Sequence, residues 1–305
     1  MNSESFAEIN KGYRIGDVLQ QISLTFKSNG VPTPRLDAEL LLAFLLKLKR
    51  LDLYLQADRP LTEEESFHFK KMAKRRIEGV PVAYLTQQKE FWSLSLHVAS
   101  GVLIPRPETE LLVETACSRI KSKQKEGRVR RLRVADLGTG SGAIMFALAS
   151  ELKELDLYGI DLSKEALSIC STNARAHQQM LKEGQNRLIL LQSNGLGRYL
   201  KKASLDFLLT NPPYIRTGII PQLNREVQQE PRLALDGGHD GLDFYRCILK
   251  ETIEVLVAGG ELILEHGHDQ RAEIMDLIKC HPEYHDLECF DDLEGRPRVI
   301  KLVKG

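Results

Sequence analysis

An excess of either charge is what this chain of 305 residues most plainly lacks: Lys and Arg total 42, and so do Asp and Glu. No global field draws it toward nucleic acid or anionic lipid. The five cysteines, Cys117, Cys170, Cys247, Cys280 and Cys289, are odd in number and form no C-x-x-C pair. That argues against a disulfide framework and for reduced thiols in the cytoplasm. Long apolar runs are missing too. The longest uncharged stretch, Phe91 to Pro105, is too short to span a bilayer as a helix. The opening residues, Met1-Asn2-Ser3-Glu4-Ser5-Phe6-Ala7-Glu8, carry acid where a signal peptide needs base and an apolar core. Repeats and low-complexity tracts are absent. With 42% apolar and 28% charged residues, the composition is that of a globular protein with no membrane partner.

Residues 1–85 have a helical pattern. Ile15, Val18, Leu19, Ile22 and Phe26 recur at helical spacing, Thr33-Pro34 resembles an N-cap and first helical position, and Thr62 with Glu65 forms a capping box. The cluster Lys70, Lys71, Lys74, Arg75 and Arg76 is read as a solvated helix face. From residue 86 to 104 the pattern alternates (Trp92, Leu94, Leu96, Val98), which predicts a β-hairpin joining two domains. The basic stretch Arg119 to Arg133, with Lys121, Lys123, Lys125, Arg128, Arg130 and Arg131, is read as a solvated helix end and loop.

Beyond it strands and helices alternate. Leu132–Leu137, Leu157–Ile160, Leu188–Leu191, Leu205–Leu209 and Glu261–Leu264 read as buried strands, and Ala143–Leu152, Lys164–Leu181 and Phe244–Val257 as helices. Alternation of this kind predicts an α/β fold with a doubly wound, mostly parallel sheet across 105–305. Asp286–Phe290 and Arg298–Val303 add two more strands.

Two segments carry chemistry. Asp136-Leu137-Gly138-Thr139-Gly140-Ser141-Gly142 ends the first strand of that sheet and opens a helix, and the second strand ends in Asp161 about 20 residues later. The glycines permit a tight turn and close approach of a ligand, while a carboxylate at Asp161 can accept both hydroxyls of a ribose. Nucleoside binding follows. Gly138-x-Gly140-x-x-Ala143 also satisfies the looser dinucleotide fingerprint. The acidic Asp136, suited to an ammonium and not to a pyrophosphate, favours S-adenosyl-L-methionine; a neighbouring carbonyl is the alternative receiver.

The second segment is Asn211-Pro212-Pro213-Tyr214, directly after the apolar strand Leu205–Leu209 and Thr210. Paired prolines stiffen the loop, leaving carbonyl groups free to accept bonds from a ligand. A planar NH₂ group suits them. Asn211 Oδ1 and the Pro212 carbonyl would hold its two N–H bonds, and Tyr214 would cover its flat face. In that arrangement the nitrogen attacks in line, and positioning supplies the acceleration without a strong base.

Together these segments resemble the class I amino-methyltransferases that act on planar NH₂ groups. Further blocks resemble the HemK family of release-factor glutamine methyltransferases: Arg35-Leu36-Asp37-Ala38-Glu39, Leu103-Ile104-Pro105-Arg106-Pro107-Glu108-Thr109-Glu110, Glu230-Pro231-Arg232-Leu233-Ala234-Leu235-Asp236-Gly237-Gly238, Asp240-Gly241-Leu242-Asp243-Phe244-Tyr245-Arg246 and Gly295-Arg296-Pro297-Arg298-Val299. The resemblance runs from about residue 13 to the C-terminus. It implies a Rossmann-like sheet of seven strands, a smaller all-α N-terminal domain that grips a protein substrate, and methyl transfer to the glutamine of a Gly-Gly-Gln loop in peptide chain release factors. It also implies cofactor contacts from Gly138, Thr139, Gly140, Ser141, Gly142 and Asp161, and substrate contacts from Asn211, Pro212, Pro213 and Tyr214; Asn194 and Asn211 are expected to contact the cofactor as well. A monomer with no nucleic-acid partner is expected.

Two positions depart from the family pattern. An Asp followed by an aromatic residue is usual after the third strand, whereas this chain has Gln192-Ser193-Asn194-Gly195. Asn194 retains a carbonyl for the adenine amine, but Gly195 offers no stacking face. Glu265-His266-Gly267-His268 closes the fifth strand. Its histidines are read as satisfied or surface residues, so no metal is assigned. The rival functions are a nucleic-acid amino-methyltransferase, which needs a basic, salt-sensitive cleft, a nicotinamide-dependent oxidoreductase on the same sheet, and a non-catalytic adaptor.

Overall fold

The computed structural model describes residues 12–126, 130–196 and 200–305. The amino-terminal segment read above and Arg128 lie outside the described residues. The chain divides into two compact units, one comprising Met1–Gln87 with Asn224–Gln229 and the other Gln88–Leu223 with Glu230–Gly305.

The first unit is helical: α1 (Ile15–Ser28), α2 (Pro34–Leu46), α3 (Arg50–Leu55), α4 (Glu63–Ile77) and α5 (Val82–Thr86). The stripe Ile15, Val18, Leu19, Ile22 and Phe26 is buried against Leu41, Leu42 and Phe69. The capping box forms, with Glu65 N donating to Thr62 Oγ1 at 3.1 Å and Thr62 N to Glu65 Oε2 at 2.9 Å. Thr33 and Pro34 take the N-cap and first helical positions, but the Thr33 hydroxyl turns to Asp37 Oδ1 at 2.7 Å and does not cap a backbone N–H.

Arg76 corrects the reading of a solvated cluster. Its side chain is 3% exposed and binds Asp37 Oδ2 at 2.7 Å and the Glu226 carboxylate. A buried acid at Asp37 requires a cation nearby, and helix α4 supplies it.

The second unit begins with the hairpin β1 (Gln88–Phe91) and β2 (Leu94–His97), turned by Trp92 and Ser93 at φ 52° and 58°. Its main body comprises α6 (Thr109–Lys125), β3 (Leu132–Leu137), α7 (Ala143–Glu151), β4 (Leu155–Asp161), α8 (Lys164–Ala176), α9 (Gln178–Glu183), β5 (Arg187–Gln192) and β6 (Leu205–Thr210). After a long loop come α10 (Asp243–Val255), β7 (Leu256–Glu265), α11 (Arg271–Lys279), β8 (Tyr284–Asp291) and β9 (Pro297–Lys304). The helix predicted over Lys164–Leu181 is broken at His177, whose ψ of 18° leaves the helical range.

The sheet has seven strands in the order β5-β4-β3-β6-β7-β9-β8, parallel except where β9 pairs with its neighbours. Helices α6 and α7 cover one face together with Phe207 and Leu209 of β6, while α10 and α11 cover the other with Leu205 and Leu208. Strand β6 is buried throughout, as its uninterrupted apolar run requires in a sheet covered on both sides. Its one acid, Asp206, is held by both Arg130 guanidinium nitrogens at 2.6 and 2.7 Å and by Arg133 N at 2.9 Å.

The basic stretch is therefore not simply solvated. Arg119 forks onto Glu261 at 2.9 and 3.0 Å, Arg131 reaches Asp156 at 3.1 Å, and Lys123 lies 5.2 Å from the Phe207 ring centre. Among the described residues no helix is long and apolar enough to cross a membrane. All five cysteines are unpaired.

Replacing Arg76 by Met removes the cation from buried Asp37 and should lower the stability of the helical unit by about 3 kcal/mol in urea unfolding. An unchanged midpoint would show that this ion pair carries no such weight.

Candidate functional site

Strands β3 and β6 pair in parallel with Leu137 opposite Thr210, and the Thr210 hydroxyl donates to the Leu137 carbonyl at 2.8 Å. Gly138 and Asn211 thus leave adjacent strands at one level, about 5 Å apart across the sheet. On the far side of β3 lie β4 and β5; on the far side of β6 lies β7. Chain order reverses here, and a crevice opens beyond the strand ends at such a point.

The glycine turn is left-handed at alternate residues, with φ of 75°, 54° and 83° at Gly138, Gly140 and Gly142. A Cβ added at Gly138 would meet nothing within 4 Å, so this backbone faces open space. One added at Gly142 would lie 2.4 Å from Phe146 and 2.7 Å from the Cys170 sulfur. That glycine serves helix packing. Asp161 ties the turn to β4: its Oδ2 accepts from Gly140 N and its Oδ1 from Ser163 N, each at 2.9 Å. Lone pairs remain on both oxygens.

Asp136 lies beneath the turn, 1% exposed. Its Oδ2 accepts from the Thr139 hydroxyl at 2.7 Å, and its Oδ1 is buried with no partner. Burial pushes its pKa up to about 7, opposed by the Thr139 hydrogen bond and assisted by the charge of Asp161.

A cavity of about 300 Å³ lies over this end of the sheet. Gly138, Gly140, Asp161, Asn194 and Asn211 line it, as do Pro213, Val102, Leu103 and Leu162. Thr139, Ser141, Gly142, Pro212 and Tyr214 are not among its lining residues. Thr139 is committed to Asp136, and the Ser141 carbonyl accepts from Asn173 at 2.9 Å.

Phe244, in the first turn of α10, lines the same cavity beside Asn194 and Gly195. It offers the aromatic face that the sequence around Gly195 lacks. Gly195 itself has φ 90°, and a Cβ there would lie 2.6 Å from a Glu251 oxygen. Glu251 accepts from Leu196 N at 2.7 Å, so this acid of α10 and a side chain at 195 exclude each other.

The Asn-Pro-Pro-Tyr loop is held from several directions. Asn211 Nδ2 donates to Thr109 Oγ1 at 2.9 Å, and Gln270 Nε2 donates to the Tyr214 carbonyl at 3.0 Å. Beneath it runs the segment after Glu230: Ile215 N donates to Leu235 O, and Gly237 N to Ile215 O, both at 2.9 Å. Gly237 permits this contact, since a Cβ there would lie 2.8 Å from both Pro213 O and Tyr214 Cα. Glu230 anchors that segment to the Pro-Arg-Pro-Glu-Thr-Glu block through Ile104 N at 3.0 Å and through Arg106.

Behind the loop lies Glu265, fully buried. The Tyr214 hydroxyl is 3.5 Å from its Oε1, and the Tyr245 hydroxyl donates to its backbone carbonyl at 3.0 Å. Burial raises the Glu265 pKa to about 7, while the Thr109 hydrogen bond and the Arg298 charge pull the other way. Tyr214 is held well above the ordinary phenol range by burial and by the Glu265 charge, so it stays protonated. His266 is buried, with Nδ1 donating to Gly267 O at 2.7 Å and Nε2 without a partner. Burial lowers its pKa. No cluster able to hold a metal occurs among the described residues.

Residues 17–86 match the family described as PrmC N-terminal domain, and residues 109–230 match the methyltransferase small domain. The release factor glutamine methyltransferase of Coxiella burnetii is 38% identical over 292 residues, covering 95% of this chain and 97% of that protein. The chain belongs to the release factor glutamine methyltransferase family. A relative of the same description from Moorella thermoacetica is 38% identical over 287 residues, covering 94% of this chain and 95% of its own. As a member of the family the chain is an S-adenosylmethionine-dependent protein-glutamine N-methyltransferase. The hMettl16 catalytic domain, solved in complex with MAT2A 3'UTR hairpin 6, shares the fold at a TM-score of 0.54 and 14% identity, over 81% of this chain and 84% of that one.

Gly237→Ala should displace the Pro213-Tyr214 backbone and lower methyl transfer about tenfold or more, with cofactor binding retained. Turnover of the variant against wild type, beside calorimetric titration of the cofactor, checks this.

Proposed function

We propose that this enzyme methylates the side-chain amide of the glutamine in the Gly-Gly-Gln loop of peptide chain release factors, with the amide held by the Asn-Pro-Pro-Tyr loop. The observation that carries this reading is the position of Asn211, which lines the cavity beside the glycine turn while its own NH₂ is engaged by Thr109. Asn211 Oδ1 is thereby left to accept a substrate N–H.

The residues fit the cofactor. Open space over Gly138, an unpartnered Oδ1 on buried Asp136 for an ammonium, free lone pairs on Asp161 for ribose hydroxyls, and the Phe244 face near Asn194 for a planar base all support it. When bound, S-adenosylmethionine supplies an electrophilic methyl on a sulfonium.

The chain's own residues act on the amide. Acceptance of its two N–H bonds by Asn211 Oδ1 and the Pro212 carbonyl biases the nitrogen toward pyramidal geometry and aims it for in-line attack. The Tyr214 ring covers the flat face. Tyr214 stays protonated and takes no proton from the substrate. The nitrogen is acidified only after it gains the methyl, so its proton departs to solvent late.

The helical unit, residues 1–85 with the hairpin 86–104 as linker, is the proposed grip on the protein substrate. Leu51, Leu55 and Phe67 are 69%, 76% and 66% exposed on it, an apolar display suited to a protein partner. A cytoplasmic monomer without a nucleic-acid partner completes the reading, in keeping with the balanced charge and five unpaired thiols.

Wild-type enzyme with labelled cofactor should modify the Gly-Gly-Gln glutamine of a release factor, and Asn211→Ala should lower that rate about 10²- to 10³-fold with cofactor affinity retained. Labelling of DNA or RNA in place of the factor would overturn the reading. Because Asp136 protonates below about pH 7, cofactor affinity should fall as the pH drops through that value, with protons released on binding in acid. Calorimetry in buffers of different ionisation heat measures both.

A further inference from the structure

A carboxamide buried among backbone groups has a direction, because its oxygen only accepts and its NH₂ only donates. Gln270, the N-cap residue of α11, is such a group and is 2% exposed. Its Oε1 accepts from Gly267 N at 3.0 Å. Its Nε2 donates to the Tyr214 carbonyl at 3.0 Å and to the Gly241 carbonyl at 3.2 Å. A backbone N–H never accepts and a carbonyl never donates, so this amide has a single orientation. Both of its donors are committed.

The surrounding backbone is shaped to admit it. A Cβ at Gly267 would lie 2.7 Å from Gln270 Oε1, and one at Gly241 would lie 2.5 Å from both Gln270 Nε2 and the Tyr214 oxygen. The side chain also stands on a fixed base. Gln270 N donates to Gly267 O and Ile274 N donates to Gln270 O, both at 3.0 Å. The turn between β7 and α11 thus drives a rigid fork between two loops.

Those loops carry different parts of the site. Tyr214 ends the Asn-Pro-Pro-Tyr loop, and Gly241 stands two residues ahead of α10, whose Phe244 lines the cavity beside Asn194. The start of the first loop is set by Thr210 on β6 and by the Asn211 bond to Thr109. Its middle has little freedom, since Pro212 and Pro213 each fix φ near about −65°. The far end is what remains, and Gln270 pins it. With both ends held, the Pro212 carbonyl and the Tyr214 ring each keep one direction.

We propose that Gln270 is a positioning residue for methyl transfer, its amide fastening the Tyr214 carbonyl beside the Gly241 carbonyl so that the acceptor loop and the first turn of α10 keep one separation. The inference rests on the reading of the Asn-Pro-Pro-Tyr loop given above. Gln270 is not among the residues that line the cavity. Its effect passes through the backbone of the loop.

Gln270→Met keeps the length of the side chain and deletes both donors, leaving two carbonyls unpaired where water does not replace the amide. A shift of about 1 Å at reacting atoms costs on the order of 10²-fold in rate. The groups proposed for the cofactor's ammonium and ribose, Asp136 and Asp161, lie on β3 and β4, which the Gln270 amide does not touch. Rate and affinity should therefore part company.

The test is turnover at saturating cofactor and release factor, beside calorimetric titration of the cofactor. Gln270→Met should lower kcat about 10- to 100-fold while the cofactor Kd stays within about threefold of wild type. Gln270→Glu adds a readout that packing alone would not move. An ionised carboxyl there has no donor, whereas a protonated one has an O–H to give to a carbonyl. Its kcat relative to wild type should climb as the pH falls, and the ratio for Gln270→Met should stay flat. The titratable and charged groups around the turn, Tyr214, Glu265, His266, His268 and the Arg216–Asp269 pair, are common to all three proteins and cancel in the ratio. Cofactor binding verifies that each variant is folded; should the Met variant bind none, the slope for the Glu variant decides. Wild-type kcat in Gln270→Met, or a flat ratio for Gln270→Glu, overturns the inference, and an inactive Asn211→Ala beside it leaves the reading of the site standing. A fully active Asn211→Ala overturns both.

Discussion

The parallel register of β3 against β6 is the constraint on which the site depends. With Leu137 opposite Thr210, the residues that follow are set side by side, and no later loop movement is needed to bring glycine turn and asparagine loop together. A slip of one residue would turn every side chain of β6 to the opposite face. That slip is blocked on both sides, since Phe207 and Leu209 fit one core and Leu205 and Leu208 the other. Asp206 adds a polar lock, because only this register meets Arg130 and Arg133 N. Packing deep in the sheet therefore determines chemistry at its rim.

In the proposed reading the site operates by holding neutral groups in fixed directions. Tyr214 is kept from ionising, and Asn211 and the proline carbonyls carry no charge. On that reading such a site suits an amide, whose nitrogen needs holding and aiming more than it needs a base. Rigidity substitutes for basicity. The prolines, the Gln270 bond to the Tyr214 carbonyl and the strand-like contacts with residues 235–237 all restrict the same short stretch.

How much of this the sequence discloses depends on the range of the interaction. The glycine turn, Asp161 and the Asn-Pro-Pro-Tyr loop are legible because backbone geometry demands those residue types at local spacing. The strands were legible from apolar runs, to within a residue or two for most. Thr109, Gln270 and Glu265 were not, because each matters through a partner far away in the chain: Thr109 meets Asn211, and Gln270 meets Tyr214. Phe244 stood inside a quoted block, yet nothing local reveals that the first turn of α10 faces the same cavity as Asn194. Runs of basic residues misled for the same reason. Arg76, Arg119 and Arg130 look solvated until their buried acids are found in other elements.

Asp136 and Glu265 both sit far above the usual carboxylate range in the folded chain. The native fold therefore holds protons that an unfolded chain would already have shed, over the interval between about pH 4 and the folded values near 7. Within that interval these two acids contribute most to stability at the lower end, and their contribution drains away as the pH rises. In the proposed reading, mild acidity firms the protein while weakening its hold on the cofactor, and an ammonium docked at Asp136 would offset part of the strain that neutrality restores.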